Sequence, residues 1–162
     1  RRRSDLGSAW RAVCRRSAGV TAAFSQILHA TCIAADGRGL LITGPSGAGK
    51  SSLAIRLLAL GASLVSDDRT ALVAEEGHIF ARCPAPVIGG LIEARGIGLL
   101  HAPTVEGAEI VLVADLSRRE TERLPPFRHV RILGCELPLV LQVQNDHFPA
   151  ALMLYLRNGR QA

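Results

Sequence analysis

Leu28 to Ala34 has the β-branched and apolar content of a strand, Asp36-Gly37-Arg38-Gly39 reads as a turn, and Leu40 to Thr43 as the returning arm of a hairpin. From Ser51 to Leu60 the apolar positions take on helical character, and Gly61 suits the residue after a helix end. Ala62 to Ser66 predicts a short strand that delivers two adjacent acids, Asp67 and Asp68, to its end. Thr70 to Ala74 and His78 to Ala81 flank Glu75-Glu76-Gly77 as a second hairpin, and Cys83-Pro84-Ala85-Pro86 breaks the chain. Between Gly89 and Leu100 four glycines surround Glu93 and Arg95; a backbone passing close to a ligand and a plain glycine-rich connection both fit. Ile110 to Ala114 predicts a buried strand ending in Asp115, and Ser117 to Arg123 a short charged helix or loop before Pro125-Pro126. His129 to Leu133 and Leu139 to Val143 predict late strands, and Pro149 to Arg157 a terminal helix stopped by Asn158-Gly159.

A length of 162 residues suits one domain, large enough to bury roughly two-thirds of its unfolded surface. The net charge of +5 suggests nucleic acid until it is located: six arginines against Asp5 in residues 1–28 account for all of it, and the remainder is neutral. With only 4% aromatic residues there is little to stack bases on, so no nucleic-acid partner is expected. No run of about 18 apolar residues exists, so no membrane partner is expected either, and the expected location is cytoplasmic. Cys14, Cys32, Cys83 and Cys135 form no C-x-x-C pair and read as reduced, mostly buried thiols. Residues 1–26 read as a basic, poorly ordered leader and residues 27–162 as the domain proper.

Candidate chemistry begins at Gly44-Pro45-Ser46-Gly47-Ala48-Gly49-Lys50-Ser51-Ser52, a complete G-x-x-x-x-G-K-S between an expected strand and an expected helix. Glycines there let successive N–H groups converge on phosphate oxygens, and the helix beginning near Lys50 adds its positive end. Lys50 can reach the β- and γ-phosphates, and the Ser51 hydroxyl suits Mg²⁺. Lys50 is the single lysine beside 18 arginines, which points to a chemical requirement. The motif implies nucleotide and Mg²⁺ without naming an acceptor. For the acidic partner, Asp115 after an apolar strand has the ordinary appearance of a magnesium-holding acid; the pair Asp67/Asp68 offers one acid for the metal and one for a proton, or simply a solvated turn. His29, considered alone, reads as a structural or surface histidine.

His29-Ala30, the loop Gly44 to Ser52, Leu64-Val65-Ser66-Asp67-Asp68 and Ile92-Glu93-Ala94-Arg95-Gly96-Ile97-Gly98 together resemble the catalytic domain of HPr kinase/phosphorylase, which phosphorylates a serine of the phosphocarrier HPr. Separations from Lys50 of 21 residues to His29, 18 to Asp68 and 43 to Glu93 agree with that family, and the resemblance covers roughly residues 27–125. It implies an α/β P-loop kinase domain of the HPr kinase and phosphoenolpyruvate carboxykinase-like type, a mixed sheet with flanking helices. It also implies ATP and Mg²⁺ as cofactors, an HPr-type carrier as protein substrate, a role in phosphotransferase-system regulation, and a homo-oligomer, hexameric in the family.

Residue by residue, the resemblance makes Asp68 the base that takes the serine proton, Lys50 the group that neutralises the transferring phosphoryl, and His29 the support of the Asp pair. Ser51, Glu93 and Asp67 become the metal-side residues, and Arg123 matches the family's mobile-loop arginine with a shorter spacing. Residues 1–28 leave no room for the regulatory domain of larger members, so the short, kinase-domain-only form is expected. Pro138 to Asp146 lacks the arginines that the family's dephosphorylation segment carries, so kinase activity is expected, with weak reverse phosphorylase activity. A P-loop kinase of a small molecule and a non-catalytic ATP-sensing module are the alternatives.

Overall fold

The computed structural model describes residues 25–85 and 90–162. The leader expected over residues 1–26 lies outside them except for Ser25 and Gln26, which already belong to the first strand. In chain order the elements are β1 (Ser25–Leu28), β2 (Thr31–Ala35), β3 (Arg38–Thr43), α1 (Lys50–Ala59), β4 (Ser63–Ser66), β5 (Thr70–Glu75), β6 (His78–Arg82) and β7 (Leu91–Ala94). They continue with β8 (Gly98–His101), β9 (Gly107–Arg119), β10 (Arg128–Ile132), β11 (Cys135–Gln142) and α2 (Phe148–Asn158).

Three hairpins share one local solution. Asp36-Gly37, Glu76-Gly77 and Leu133-Gly134 each place two consecutive residues at positive φ between directly paired strand ends, the two-residue turn that matches strand twist. In the third a leucine takes the left-handed position at φ 48°, where an acid or asparagine is the usual turn signal. Its side chain packs partly buried against the core beneath, which offsets the strain.

Nine strands form one mixed sheet in the order β1-β5-β6-β9-β3-β2-β4, with β11 on β9 and β10 on β11. The long β9 makes this possible by dividing its edges: β6 pairs with its first residues, β3 with Glu109 to Asp115, and β11 from Val113 onward. Asp115 is therefore inside a strand rather than at its end, and the charged segment after it continues as strand through Arg119. Between Gly39↔Ile110 and Leu40↔Leu112 β9 carries one extra residue, which reverses the facing of its side chains: Ala108 and Ile110 enter one core, Leu112, Ala114 and Leu116 the other. Pro138 is tolerated within β11 because pairing to β9 begins only at Leu139. The glycine-rich stretch after residue 90 folds as a separate hairpin, β7 on β8.

Alternation along β2 and β3 splits the apolar residues between two cores. Ile33, Leu40 and Ile42 face Leu53 and Leu57 of α1 and Leu152 and Leu156 of α2; Cys32 and Leu41 face Leu72, Ile79 and Leu139, with no residue of either helix. Each of these fully buried aliphatic side chains contributes about 1.5–3 kcal/mol of burial. Of the described cysteines only Cys32 is buried, and burial pushes its thiol well above the usual range; Cys83 and Cys135 are half-buried, so the expectation of mostly buried thiols holds for one of three.

Candidate active site

The loop Gly44 to Gly49 leaves the end of β3 and enters α1 without a side-chain cap on the helix. Gly47 and Gly49 have φ of 80° and 96°, and a Cβ at either would meet no atom within 4 Å, so backbone conformation rather than space selects glycine there. Lys50, only 7% exposed, donates from Nζ to the carbonyls of Gly44 at 2.9 Å and Pro45 at 3.1 Å. Two of its three donors thus close the loop. Among the described residues no carboxylate lies within ion-pair range of this ammonium, so a buried positive charge is met only by neutral oxygens, an arrangement that favours an anionic ligand.

Strand register brings the acids to this loop. Leu28↔Thr70 in β1–β5 and Cys32↔Ser66 in β2–β4 place residues 29–31 opposite residues 67–69. Buried Thr70 fastens the junction by donating from Oγ1 to the carbonyl of Ala30 at 2.8 Å. At the turn the Arg69 N–H bonds the Asp67 carbonyl at 2.7 Å across Asp68, whose φ is 64°, and the Ser66 hydroxyl bonds the Arg69 carbonyl. An i→i+2 bond around a positive-φ residue is the rare, strained form of γ-turn, and it aims the Asp68 side chain outward. There His29 Nε2 and Asp68 Oδ1 stand 2.5 Å apart. Both side chains are at least half exposed, so the pair adds little to stability.

Asp67 faces the other way. Its Oδ1 accepts from Thr31 Oγ1 at 2.8 Å and from Ser51 Oγ at 2.9 Å, tying β2, β4 and the first turn of α1 through one oxygen. A cavity of about 210 Å³ lies between these groups, lined by His29, Thr31, Ser46, Gly47, Gly49, Lys50, Ser51, Ser52, Asp68, Glu93 and Arg95. The first three separate segments named in the sequence reading, together with Glu93 from β7, therefore meet around one space.

Two expected positions stand apart. Asp115 is level with Thr43 on β3, but its Oδ1 takes the Ser117 N–H at 2.8 Å and hydroxyl at 2.6 Å, and Oδ2 takes Arg118 at 3.3 Å. Partial burial opposes its charge, yet these Ser117 and Arg118 bonds outweigh it and hold the carboxyl below its usual range. Arg123 sits exposed in the 120–127 loop and does not line the cavity. That loop is held at its base by Glu120, bonded by Arg128 at 3.0 and 3.1 Å, and at its far side by Arg160, which donates to the Pro125 carbonyl and stacks 4.5 Å from the Phe127 ring centre.

Thr31 and Arg95 are the lining residues that the sequence reading did not select. Thr31 stands two residues from His29, the spacing that keeps side chains on one side of an extended segment, and Arg95 was visible beside Glu93 without a stated role.

Residues 21–117 match the profile of the HPr serine kinase C-terminal domain. This chain belongs to that family. Among its relatives, the HPr kinase/phosphorylase of Cupriavidus necator is 38% identical over 125 residues, covering 70% of this chain and 38% of that protein. The corresponding protein of Burkholderia lata is 39% identical over the same length. The Hpr(Ser) kinase/phosphatase structure from Coxiella burnetii superposes with a TM-score of 0.68 at 30% identity, covering 82% of this chain and 95% of that one. Its match supports the mixed α/β fold of the HPr kinase domain described here. The chain spans little more than a third of the length of the curated relatives it matches. Among the described residues no helix is long and apolar enough to cross a membrane.

Proposed function

We propose that this HPr kinase domain transfers the γ-phosphoryl group of ATP to a serine hydroxyl of an HPr-type phosphocarrier, in a Mg²⁺-dependent reaction that serves phosphotransferase-system regulation in the cytoplasm. The observation that carries the reading is Asp68: an exposed carboxylate on a strained turn, 2.5 Å from His29, at the rim of a cavity whose opposite wall is the glycine-rich loop and Lys50.

In this reading Asp68 accepts the serine proton as the serine oxygen bonds to phosphorus and the bond from phosphorus to the ADP oxygen breaks. His29 orients Asp68 and shares the added proton's charge. Lys50, held by the Gly44 and Pro45 carbonyls, keeps its remaining donor for the transferring oxygens. For Mg²⁺ the donor set fits: Ser51 and Glu93 line the cavity, and Asp67, which is not on its wall, accepts from the Ser51 hydroxyl and so stands next to it. Among the described residues no three His, Cys, Asp or Glu groups form a cage, which matches an ion that takes one or two carboxylates and completes its shell with phosphate and water. Mg²⁺ when bound would offset charge on the phosphates. In the reverse direction Asp68 returns the proton to the serine oxygen while inorganic phosphate takes the phosphoryl group as pyrophosphate. Arg123, exposed and outside its own cavity, fits action at a neighbouring subunit of a homo-oligomer.

Incubation with ATP, Mg²⁺ and HPr-type carriers, read by mass spectrometry, should give phosphoserine, and Asp68→Asn should lower the rate at least about 100-fold while nucleotide still binds. Transfer by Asp68→Asn at the parental rate refutes the assignment. Phosphorylation of a metabolite alone would identify a small-molecule kinase, and binding without transfer in a single turnover of labelled ATP a sensing module.

A further inference from the structure

The connection from β9 to β10, residues 120–127, is held at two points with an exposed crown between them. At the near end the Glu120 N–H donates to the Gln142 carbonyl at 2.9 Å, while its carboxylate accepts from the Thr121 and Glu122 N–H groups at 3.1 and 3.2 Å and from Arg128. At the far end a distant part of the chain supplies the hold. Half-buried Arg160 donates to the Pro125 carbonyl, its guanidinium lies 4.5 Å from the centre of the Phe127 ring, and its Nε–H turns back to the Ala162 carbonyl at 2.7 Å. Donating in plane while stacking on a ring is open to a planar guanidinium and closed to an ammonium.

Thr121, Glu122, Arg123 and Leu124 are exposed between the two holds. Without Arg160 the next fixed point is Arg128, so the free span grows from 121–124 to 121–127. Leu124 and Pro125 each precede a proline, which confines both to extended backbone angles, so a hold on Pro125 reaches Arg123 with little slack. The other side of the clasp is equally firm. α2 buries Leu152, Met153 and Leu156 in the core that also takes α1, Arg38 of β3 donates to the Leu156 carbonyl at 2.6 Å, and Arg157 pairs with Asp36 at 3.2 Å. Arg160 follows directly after Gly159 stops this helix. Both the loop and α2 lie beyond residue 117, outside the part of the chain that matches the family profile.

We propose that Arg160 is a positioning residue for phosphoryl transfer: by clasping Pro125 and Phe127 it sets the crown of the loop on which Arg123 stands. The role rests on the reading of Arg123 as a group that serves the reaction at a neighbouring subunit, and it runs through Arg123, since Arg160 does not line the Asp68 cavity.

Limited trypsin digestion of the full chain, read by mass spectrometry, reports the crown directly: cleavage after Arg123 should be at least about 5-fold faster in Arg160→Ala than in the parent, because cutting follows the population of the open loop. Phe127→Ala should also speed it, and Arg160→Ala should add less in that background than alone. In transfer from ATP to an HPr-type carrier, Arg160→Ala should lower kcat at least about 5-fold with the KM for ATP unchanged. In an Arg123→Ala background it should lower kcat no further, whereas a merely structural loss would multiply with that of Arg123→Ala. Unchanged cleavage after Arg123, parental kcat in either single variant, or losses that multiply overturn the role while leaving the kinase reading standing. No transfer by the parent to any carrier overturns the kinase reading and this role with it.

Discussion

Thr31→Val removes one oxygen from a buried position and tests how Asp67 is held. The Thr31 side chain is fully buried and its hydroxyl lies 2.8 Å from Asp67 Oδ1, which also accepts from Ser51. Valine keeps the shape, so no cavity forms, and the loss is that of one hydrogen bond to a charged acceptor, about 1.5–3 kcal/mol. Asp67 is half-buried, so water can replace part of that bond, and about 1–2 kcal/mol remains. For a domain of this size that is about 2–8 °C in melting temperature, readable by scanning calorimetry. A second consequence is specific to the site. With one donor gone, Oδ1 is fixed only by Ser51, and if about 1.4 kcal/mol of positioning is lost, Mg²⁺-dependent ADP affinity falls about 10-fold while Mg²⁺-free affinity does not change. Thr31→Ser, which retains the hydroxyl, should restore the Mg²⁺ dependence. Equal weakening of ADP with and without Mg²⁺, or no difference between valine and serine at this position, would refute the role.

Asp115→Asn should leave the Mg²⁺ dependence of ADP binding unchanged in calorimetry, because its oxygens are committed to Ser117 and Arg118; loss of that dependence would restore the reading of Asp115 as the metal-side acid. Gly49→Ala, at φ 96°, should cost about 1–2 kcal/mol in unfolding experiments and weaken tripolyphosphate binding, since an L-residue there strains the loop. Glu120 is held down to about 2 by its hydrogen bonds from Arg128, so its contribution to stability is complete above the ordinary carboxylate value of 4.5 and disappears as pH falls from there toward 2. The melting-temperature difference between the parent and Glu120→Gln should therefore be constant near neutrality and shrink across that acid window; a difference that persists at the acid end would show that the latch does not depend on charge.

Local chemistry accounts for much of this domain. The hairpins at Asp36-Gly37 and Glu76-Gly77 follow from residues that accept positive φ, α1 and α2 end at glycines suited to follow a helix, and a G-x-x-x-x-G-K-S motif between strand and helix announces its loop. Where local signals mislead, a long-range contact is the cause. Leu133-Gly134 carries no polar turn residue because Leu133 is held by packing against the second core, so the strand is extended at both sides of a turn that hydrophobicity conceals. Charged Ser117 to Arg119 resembles a loop, yet β9 continues there because, after a break in register, Arg119 resumes the pairing with β11 at Gln142.

The site divides along the same line. Residue chemistry alone points to Lys50 and Ser51 and leaves Asp67 and Asp68 open beside Asp115, while His29 and Glu93 are selected only through the resemblance to the HPr kinase family. How they work together is a matter of register. Pairing of β1 with β5 and of β2 with β4 carries His29 to Asp68 across 39 positions and Thr31 to Asp67 across 36, turns the two acids in opposite directions, and leaves Arg123 and Asp115 outside. Adjacent residues in a sequence share a position but not a facing, and only the packed sheet, by forcing Asp68 into a left-handed turn, separates the acid beside Ser51 from the acid beside His29.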